Sequence, residues 1–463
     1  MTEIPPAPFS QRASTKTWRV SMECEKYVLP NGLEVILHEE PRTPLVAVNL
    51  WYHVGAKDEG PGRSGFAHLF EHVMFQGSRH VGEDKFFYYL ERAGASDRNG
   101  STNFDRTNYY ETVPSSELGL VLWLESDRMG FLLDHANEQT FSEQREVVKN
   151  ERRQRVDNVS YGSVNHLIYD VLFPLGHPYH FPIIGSPKDL DAAKMDDVRE
   201  FFRRYYVPNN ATLVIAGDIQ SDKALDLVAK YFGGLFRGPD PKTVRGPLPP
   251  PPLTAEVHLD IEADVMLPRL VLSWVTPAQF LPGDAELDII SDMLSSGRSS
   301  RLYRRLVHEM RIAQSVRAHQ ASSELAGVFD ISVTLMKNQS PAEALAVVDE
   351  ELDALRNGLP AAVELERART RSLTGLVFGM EKVAARADML NLYNRRARDM
   401  NYFLRDLHRY ESIRAADVSR AVTNLLRKDN RVVTFVHPAP HAPRAGRLSP
   451  QSIGKIGGAH GAA

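Results

Sequence analysis

The stretch Ser64-Gly-Phe-Ala-His68-Leu-Phe-Glu71-His72-Val-Met-Phe-Gln-Gly77 decides how the rest of the chain is interpreted. His68, Glu71 and His72 stand at positions i, i+3 and i+4, so a helix would place their side chains on one face. Two imidazoles one helical turn apart can bind a single zinc ion, and a neighbouring carboxylate can accept a proton from water. The alternative is a polar helix face without a ligand. The five-residue pattern H-x-x-E-H leaves both interpretations open.

The flanking residues predict the ends of this helix and the need for a further ligand. Ser64 is a favourable N-cap, and Gly77 is a favourable residue just beyond a helix C-terminus. A catalytic zinc ion needs three protein ligands and one open position. The third ligand must therefore come from another segment.

A second, glutamate-rich helix is predicted to supply that ligand. Thr140 and Glu143 form a capping-box pattern, which places the start of a helix at Thr140. Glu143, Glu146 and Glu151 are the candidate ligands on this helix. Composition does not choose among the three.

The chain resembles the pitrilysin-type inverted-zincin peptidases, the family of insulin-degrading enzyme and mitochondrial processing peptidase, which also has short bacterial members. Residues 64–77, the stretch Asn99-Gly-Ser-Thr-Asn-Phe-Asp-Arg-Thr-Asn-Tyr-Tyr110 and the glutamate-rich helix carry the resemblance. It extends roughly from Tyr27 to Pro438. It implies a zinc endopeptidase with one Zn²⁺ per chain, bound by His68, His72 and Glu151, and with Glu71 as general base.

Two further site predictions follow from the resemblance. The family often has a glutamate seven residues before the third ligand, and here that position is Gln144, which can donate a hydrogen bond but brings no charge. The family's peptide substrate adds as a strand beside the metal, and the matching positions are Asn99, Gly100, Ser101 and Thr102. The alternative for Asn99 and Gly100 is a simple turn.

Composition excludes several functional classes. The 463 residues include 55 Lys and Arg and 59 Asp and Glu, for a net charge of −4, and no long basic run predicts nucleic-acid binding. The single cysteine, Cys24, cannot form an internal disulfide and is most simply a small apolar residue. Residues 1–22 lack a signal-peptide pattern, and no apolar stretch is long enough to span a membrane. We expect a cytoplasmic protein, or a periplasmic one if a signal peptide has been removed.

The predicted fold class is α+β, with two similar domains, each a mainly antiparallel sheet with helices packed on one face. A weak internal repeat supports two domains, because a helix, an Asn-containing turn and a short β run recur before Asp218 and before Pro438. An Arg-rich surface is expected at residues 395–398. The predicted divisions are a flexible N-terminus (1–22), a zinc-binding catalytic domain (23–236), a Pro-rich linker (237–254), a second homologous domain (255–438) and a disordered tail (439–463).

The predicted partner rests on two missing residues. Catalytically complete relatives carry an Arg and, seven residues later, a Tyr that contact the substrate from the second-type domain, and the matching positions here are Val307 and Gln314. We therefore expect a heterodimer with a homologous subunit that has the Arg–Tyr pair and lacks H-x-x-E-H, with a homodimer as the alternative. Peptides or unfolded segments would be cleaved in the chamber between the subunits.

Two alternative functions remain. A non-catalytic core-type subunit of the same fold is disfavoured because all four site residues are present. A purely structural zinc site is disfavoured because such sites prefer four ligands and cysteine.

Overall fold

The computed structural model describes residues 22–241 and 243–449, which form two six-stranded sheets covered by helices. Nearly all of the predicted flexible N-terminus (1–21) and most of the predicted disordered tail (450–463) lie outside the described residues. Two similar α+β units are therefore present, as the sequence predicts.

The first sheet has the strand order β1-β2-β6-β3-β5-β4. Only β2 and β6 run parallel, and β4 forms one edge. The turn at Asn31 and Gly32 joins β1 to β2. The strands are β1 (Glu25–Val28), β2 (Glu34–Glu39), β3 (Leu45–Tyr52), β4 (Ser96–Thr102), β5 (Thr107–Pro114) and β6 (Ala211–Gly217).

The second sheet repeats this plan in the order β12-β7-β11-β8-β10-β9, with β7 and β11 as its one parallel pair. The repeated β runs are β6 and β11, which occupy matching places in the two sheets. The last strand pairs with β7 through Arg447 and Glu262, so ordered structure continues past Pro438, where the disordered tail was predicted to begin. The strands are β7 (Val257–Ala263), β8 (Arg269–Thr276), β9 (Ala313–Ala321), β10 (Gly327–Leu335), β11 (Val432–Pro438) and β12 (Arg447–Leu448).

Fourteen α-helices lie among the described residues, and two of them run on into π-helical turns, at Arg153–Asp157 and at Tyr393–Ala397. A third π-helical segment, Tyr303–Glu309, lies between α9 and β9. None of the helices in the described ranges is both long enough and apolar enough to cross a membrane. The helices are α1 (Phe66–Val73), α2 (Lys85–Arg92), α3 (Leu118–Phe131), α4 (Glu138–Arg152), α5 (Val164–Leu172), α6 (Pro187–Ala192), α7 (Met195–Tyr205), α8 (Ser221–Phe232), α9 (Asp284–Ser295), α10 (Pro341–Asn357), α11 (Ala362–Gly379), α12 (Val383–Leu392), α13 (Phe403–Glu411) and α14 (Ala415–Leu425).

Each sheet packs its inner side chains against helices of its own half, and its other face meets a helix from the other half. Alternation along β6 sends Leu213 and Ile215 into the first core, while Val214 and Ala216 contact α12 and its neighbours. On the second sheet the corresponding face packs against α5. Each half therefore covers one face of the other half's sheet. The apolar surface buried in this way joins the two halves, and burial of apolar surface is the dominant stabilising contribution in folding.

Polar contacts complete the packing of α12 on the first sheet. Asp388 accepts hydrogen bonds from Asn49 Nδ2 (3.1 Å) and Trp51 Nε1 (3.2 Å), and Asn391 donates to the Asn49 carbonyl (3.0 Å). These bonds satisfy polar groups of β3 that would otherwise be buried without partners. The position of β3 therefore depends on a helix more than 330 residues away in sequence.

Candidate metal centre

The helix that carries H-x-x-E-H is capped by a residue that sequence analysis did not identify. It begins at Phe66 after Gly65, whose φ of 87° lies in the left-handed region. The Glu59 carboxylate accepts hydrogen bonds from the backbone N–H groups of Gly65 (2.8 Å) and Ala67 (2.7 Å). The predicted N-cap, Ser64, instead donates to Asp189 Oδ2 at 2.5 Å. The prediction of Ser64 as N-cap is therefore wrong, because a carboxylate from an earlier loop takes the free N–H groups.

The second helix also begins earlier than predicted. Asn137 is the N-cap of α4, and its side chain accepts hydrogen bonds from the N–H groups of Gln139 (3.0 Å) and Thr140 (3.1 Å). Thr140 is thus the third residue of the helix and not its cap, so the Thr140–Glu143 capping box is not formed. This earlier start of α4 does not change the helix face on which Glu151 lies.

Packing of α1 against α4 separates the three glutamate candidates. Glu151 Oε2 lies 3.2 Å from His72 Nε2 and 3.6 Å from His68 Nε2. Glu143 is exposed and accepts a hydrogen bond from Gln139, and Glu146 is exposed and pairs with Lys149 at 2.9 Å. Among the described residues, His68, His72 and Glu151 form the one group of potential ligands whose donor atoms all lie within 4.8 Å of one another.

The protonation states of these groups suit a cation. Burial, and then the neighbouring His72, lower the pKa of His68 to about 4, so this imidazole is neutral at pH 7. The hydrogen bond with His72 lowers the pKa of Glu151, which is therefore ionised. Metal binding requires neutral imidazoles and ionised carboxylates. Two nitrogen donors and one carboxylate oxygen are also a donor set that zinc prefers at catalytic sites.

Glu71 lies beside this group and faces β4. Thr102 Oγ1 donates a hydrogen bond to Glu71 Oε2 at 2.7 Å. Burial raises the pKa of Glu71, which makes its carboxylate a better proton acceptor than an exposed one. Thr102 therefore fixes the orientation of the carboxylate.

The edge strand β4 approaches α1 closely at Gly100. A Cβ atom on Gly100 would lie 2.9 Å from Glu71 Cγ and 3.2 Å from atoms of the Phe75 and Tyr109 rings. Of the four predicted substrate-binding residues, Gly100 is buried, Ser101 and Thr102 are half-buried and Asn99 is exposed. All four lie in β4, so the alternative interpretation of Asn99 and Gly100 as a simple turn is wrong.

Gln144 forms no hydrogen bond to the three candidate ligands in the described part of the chain. Its side chain is half-buried, and in the described part of the chain it makes no hydrogen bond. His68 Nδ1 is also buried without a hydrogen-bond partner there. A role for Gln144 beside the ligands therefore stays a prediction.

Two positively charged residues near the site were not predicted from the sequence. Arg106 Nη1 donates to the Ser101 carbonyl (2.7 Å) and to Ser101 Oγ (2.6 Å), which holds β4 in place. Arg155 Nη1 lies 2.6 Å from Glu151 Oε1, the oxygen that does not face the histidines. The i+4 spacing from Glu151 could have indicated Arg155 from the sequence, whereas no local sequence pattern indicates Arg106.

The two positions of the missing pair lie in the second half. Val307 lies in the π-helical turn and packs against the second core, and Gln314 is exposed near the start of β9. Arg305 is paired with Glu350 (2.6 Å) and Glu351 (3.2 Å), and Arg311 is exposed. The two arginines near these positions are thus an ion-paired side chain and a surface side chain.

Comparisons with known proteins identify the family. The sequence model described as Insulinase (Peptidase family M16) matches residues 34–170, and the one described as Peptidase M16 inactive domain matches residues 192–372. This chain belongs to peptidase family M16. The resemblance to pitrilysin-type peptidases is therefore confirmed, and a peptidase-type function is supported.

Individual relatives agree with this M16 assignment. A zinc protease named PqqE from Helicobacter pylori is 30% identical over 364 residues, which cover 77% of this chain and 80% of the relative. The crystal structure of a protease from Helicobacter pylori superposes with a TM-score of 0.84 at 26% identity, covering 90% of this chain and 100% of that one. The periplasmic protease PqqL from Escherichia coli shares the fold at 18% identity, with a TM-score of 0.74. The match covers 94% of this chain and 49% of PqqL.

Proposed function

We propose that this M16 chain is a zinc-dependent endopeptidase. The observation that carries the proposal is the convergence of His68 Nε2, His72 Nε2 and Glu151 Oε2 from two helices, with the Glu71 carboxylate one residue from His72 and facing a free sheet edge. Naming of relatives as zinc proteases supports the same chemistry.

His68, His72 and Glu151 would hold one zinc ion. When bound, zinc supplies Lewis acidity, which lowers the pKa of a water molecule and polarises a peptide carbonyl. Glu71 takes the proton from the attacking water and then passes it to the leaving amine. Thr102 keeps the accepting oxygen of Glu71 oriented, and Arg155 holds the second oxygen of Glu151.

The substrate would bind as an added strand along β4. Asn103 N donates to the Arg106 carbonyl (3.0 Å), and hydrogen-bonded pairs alternate along an antiparallel ladder. Counting back from that pair, Gly100 and Thr102 point their N–H and C=O groups away from β5. Backbone hydrogen bonds at these two residues would hold an extended peptide with little sequence preference.

Removal of the base tests the proposal. Glu71→Gln should retain zinc and lower peptide hydrolysis by about 10²–10⁴-fold, because only the proton acceptor is lost. Metal content by elemental analysis and cleavage of a generic fluorogenic peptide measure the two effects. Metal-free wild-type protein, or equal hydrolysis by Glu71→Gln and wild type, would contradict the proposed function.

The proposed partner is a homologous subunit that supplies the Arg–Tyr pair absent at Val307 and Gln314, with a homodimer as the alternative. PqqL supports a two-part assembly, because its chain is about twice as long as the part that this chain matches. The test is peptidase activity of the purified chain at concentrations where light scattering defines its oligomeric state. Full turnover by a monomer or homodimer would exclude the heterodimer requirement.

A non-catalytic core-type subunit is the second candidate function, and the residues at positions 307 and 314 favour it. Activity of this chain mixed with its partner separates the candidates. A core-type subunit would give no hydrolysis that depends on Glu71, whereas the proposed enzyme loses its hydrolysis in Glu71→Gln.

A further inference from the structure

A cavity of about 340 Å³ opens beside the candidate metal ligands. His68, Glu151 and Thr102 form one wall. A peptide strand on β4 would pass this wall, so the cavity lies where the side chain of a residue next to the cleaved bond would enter. Its volume is at the low end of the range for ligand sites, about 300–1,000 Å³.

The floor of the cavity is apolar and held rigidly. It is formed by Val156, Tyr169, Ile183 and Ile184. The Tyr169 ring stacks on Phe104, with ring centroids 5.7 Å apart and an angle of 11° between the planes. Such a floor can pack the methylene groups of a long side chain, whatever its terminal group.

The rim carries hydrogen-bond donors and a positive charge. Arg155 and His166 line it. The Arg155 side chain is 75% exposed, and its contact with Glu151 uses Nη1, which leaves Nε and Nη2 without partners in the described structure. Glu151 is the one carboxylate among the residues that line the cavity, and it is already engaged. Asp157, on the same segment, pairs with Arg152 at 3.5 Å.

We infer that this cavity selects an acidic side chain, glutamate above all, at one position next to the cleaved bond of the peptide. The methylene groups of glutamate would pack on the floor, and its carboxylate would accept hydrogen bonds from the free Arg155 N–H groups. A lysine there would meet Arg155 and a cationic metal centre, and would be rejected. The inference deepens the proposed peptidase function and rests on it.

Cleavage-site mapping is the first test. A mixture of peptides is digested by the protein with its partner, and mass spectrometry locates the cleaved bonds. Glutamate should be enriched about fivefold to tenfold over glutamine at one fixed position beside those bonds, because a hydrogen bond to a charged group is stronger than one to a neutral group. Hydrolysis without such enrichment would overturn the inference and leave the peptidase function standing.

A binding measurement tests the residue without relying on turnover. The zinc-loaded Glu71→Gln protein is titrated with two labelled peptides that differ only by glutamate or glutamine at the selected position, chosen by scanning each position of one peptide. The glutamate peptide should bind about fivefold to tenfold more tightly, and adding Arg155→Met should bring the affinity ratio close to one. Because the ratio is taken within one preparation, partial loss of zinc cancels.

Arg153→Met is the matched control. Arg153 lies on the same π-helical turn, is exposed, and contacts Asn150 outside the cavity. The Arg153→Met substitution should leave the ratio of glutamate-peptide to glutamine-peptide affinity unchanged. An equal loss of the glutamate preference in Arg155→Met and Arg153→Met would overturn the inference. So would the absence of a glutamate preference at every position, or the absence of any peptide binding. A glutamate preference in binding without any hydrolysis would support the selectivity assigned to the cavity and refute the peptidase function.

Discussion

Gly100 shows how the absence of a side chain can shape a candidate active site. The strand β4 lies so close to α1 that any larger residue would meet Glu71, Phe75 and Tyr109. Its φ is not in the left-handed region, so the requirement comes from space and not from backbone conformation. The residue keeps the edge strand within hydrogen-bond distance of the proposed base.

Gly100→Ala should therefore lower kcat by about tenfold or more while zinc remains bound. The added methyl group would displace Glu71 or β4, and small misplacements near the reacting atoms have large effects on rate. Kinetics and metal content together measure this outcome. Gly119→Ala is the control, because nothing lies within 4 Å of a Cβ atom at that position. Wild-type kinetics in Gly100→Ala would place the substrate away from β4.

Glu151 and Glu146 provide a second comparison of single residues. Glu151→Gln should weaken zinc binding by more than about tenfold, because a charged ligand is replaced by a neutral one. Glu146→Gln should retain zinc, because Glu146 is exposed and paired with Lys149. Competition with a chromophoric chelator measures both affinities. The reverse result would show that the ligand assignment on α4 is wrong.

At the scale of elements, helices α9 and α13 are joined by a half-buried carboxyl group, that of Asp288. Tyr410 on α13 donates to Asp288 Oδ2 on α9 at 2.7 Å. Burial raises the pKa of Asp288 to about 7, whereas an unfolded chain has an aspartate pKa near 4. The folded state therefore binds this proton more tightly than the unfolded state, and the resulting stabilisation, present at low pH, is lost as pH rises through about 7.

Asp288→Asn should make stability less dependent on pH, because the amide stays neutral. The free energy of unfolding of the wild type, relative to this variant, should fall by about 1–4 kcal/mol between pH 5 and pH 8. Urea denaturation at the two pH values measures it. Asp264→Asn, at an exposed position, should keep the wild-type dependence. An unchanged slope in Asp288→Asn would mean that Asp288 is ionised in the folded protein at pH 5.

At the scale of the whole molecule, a buried polar network joins the two halves next to the β4–β5 turn. Asp105 accepts hydrogen bonds from Tyr179 (2.6 Å), from Arg396 (2.7 Å) and from the Glu324 N–H group (3.1 Å). Lys57 pairs with Glu324 at 2.7 Å. The predicted Arg-rich surface is therefore wrong at Arg395 and Arg396, whose side chains are only 10% and 7% exposed at this seam.

Lys57→Met should destabilise the protein by about 3–5 kcal/mol, because it leaves Glu324 buried with weaker pairing. Both halves should lose stability together, since each sheet is covered by a helix of the other half. Denaturation followed by circular dichroism measures the change. Lys188→Met, on an exposed lysine, should have little effect. A loss of stability confined to one half would show that this buried polar network does not couple the unfolding of the two halves.

The sequence alone determined the features that depend on local spacing. The i, i+3, i+4 pattern of His68, Glu71 and His72 placed three side chains on one helix face, and the β runs before Asp218 and Pro438 predicted one strand in each α+β half. Helix ends were less predictable, because Glu59 competes with Ser64 for the free N–H groups of α1 from outside the helix. Local patterns carry no information about such a competitor.

Only the tertiary structure decided which residues meet across large sequence separations. Glu143, Glu146 and Glu151 have the same chemistry, and only the packing of α4 on α1 brings Glu151 to the two histidines. The local sequence gives no reason for a glycine at position 100. The reason is the close approach of β4 to Glu71 in the folded protein. Arg395 and Arg396 are charged, so composition places them on the surface, but pairing with Glu324 of the same half and with Asp105 of the other half allows their burial. In each case the deciding contact joins segments far apart in the chain, and its energy depends on three-dimensional proximity that spacing does not encode.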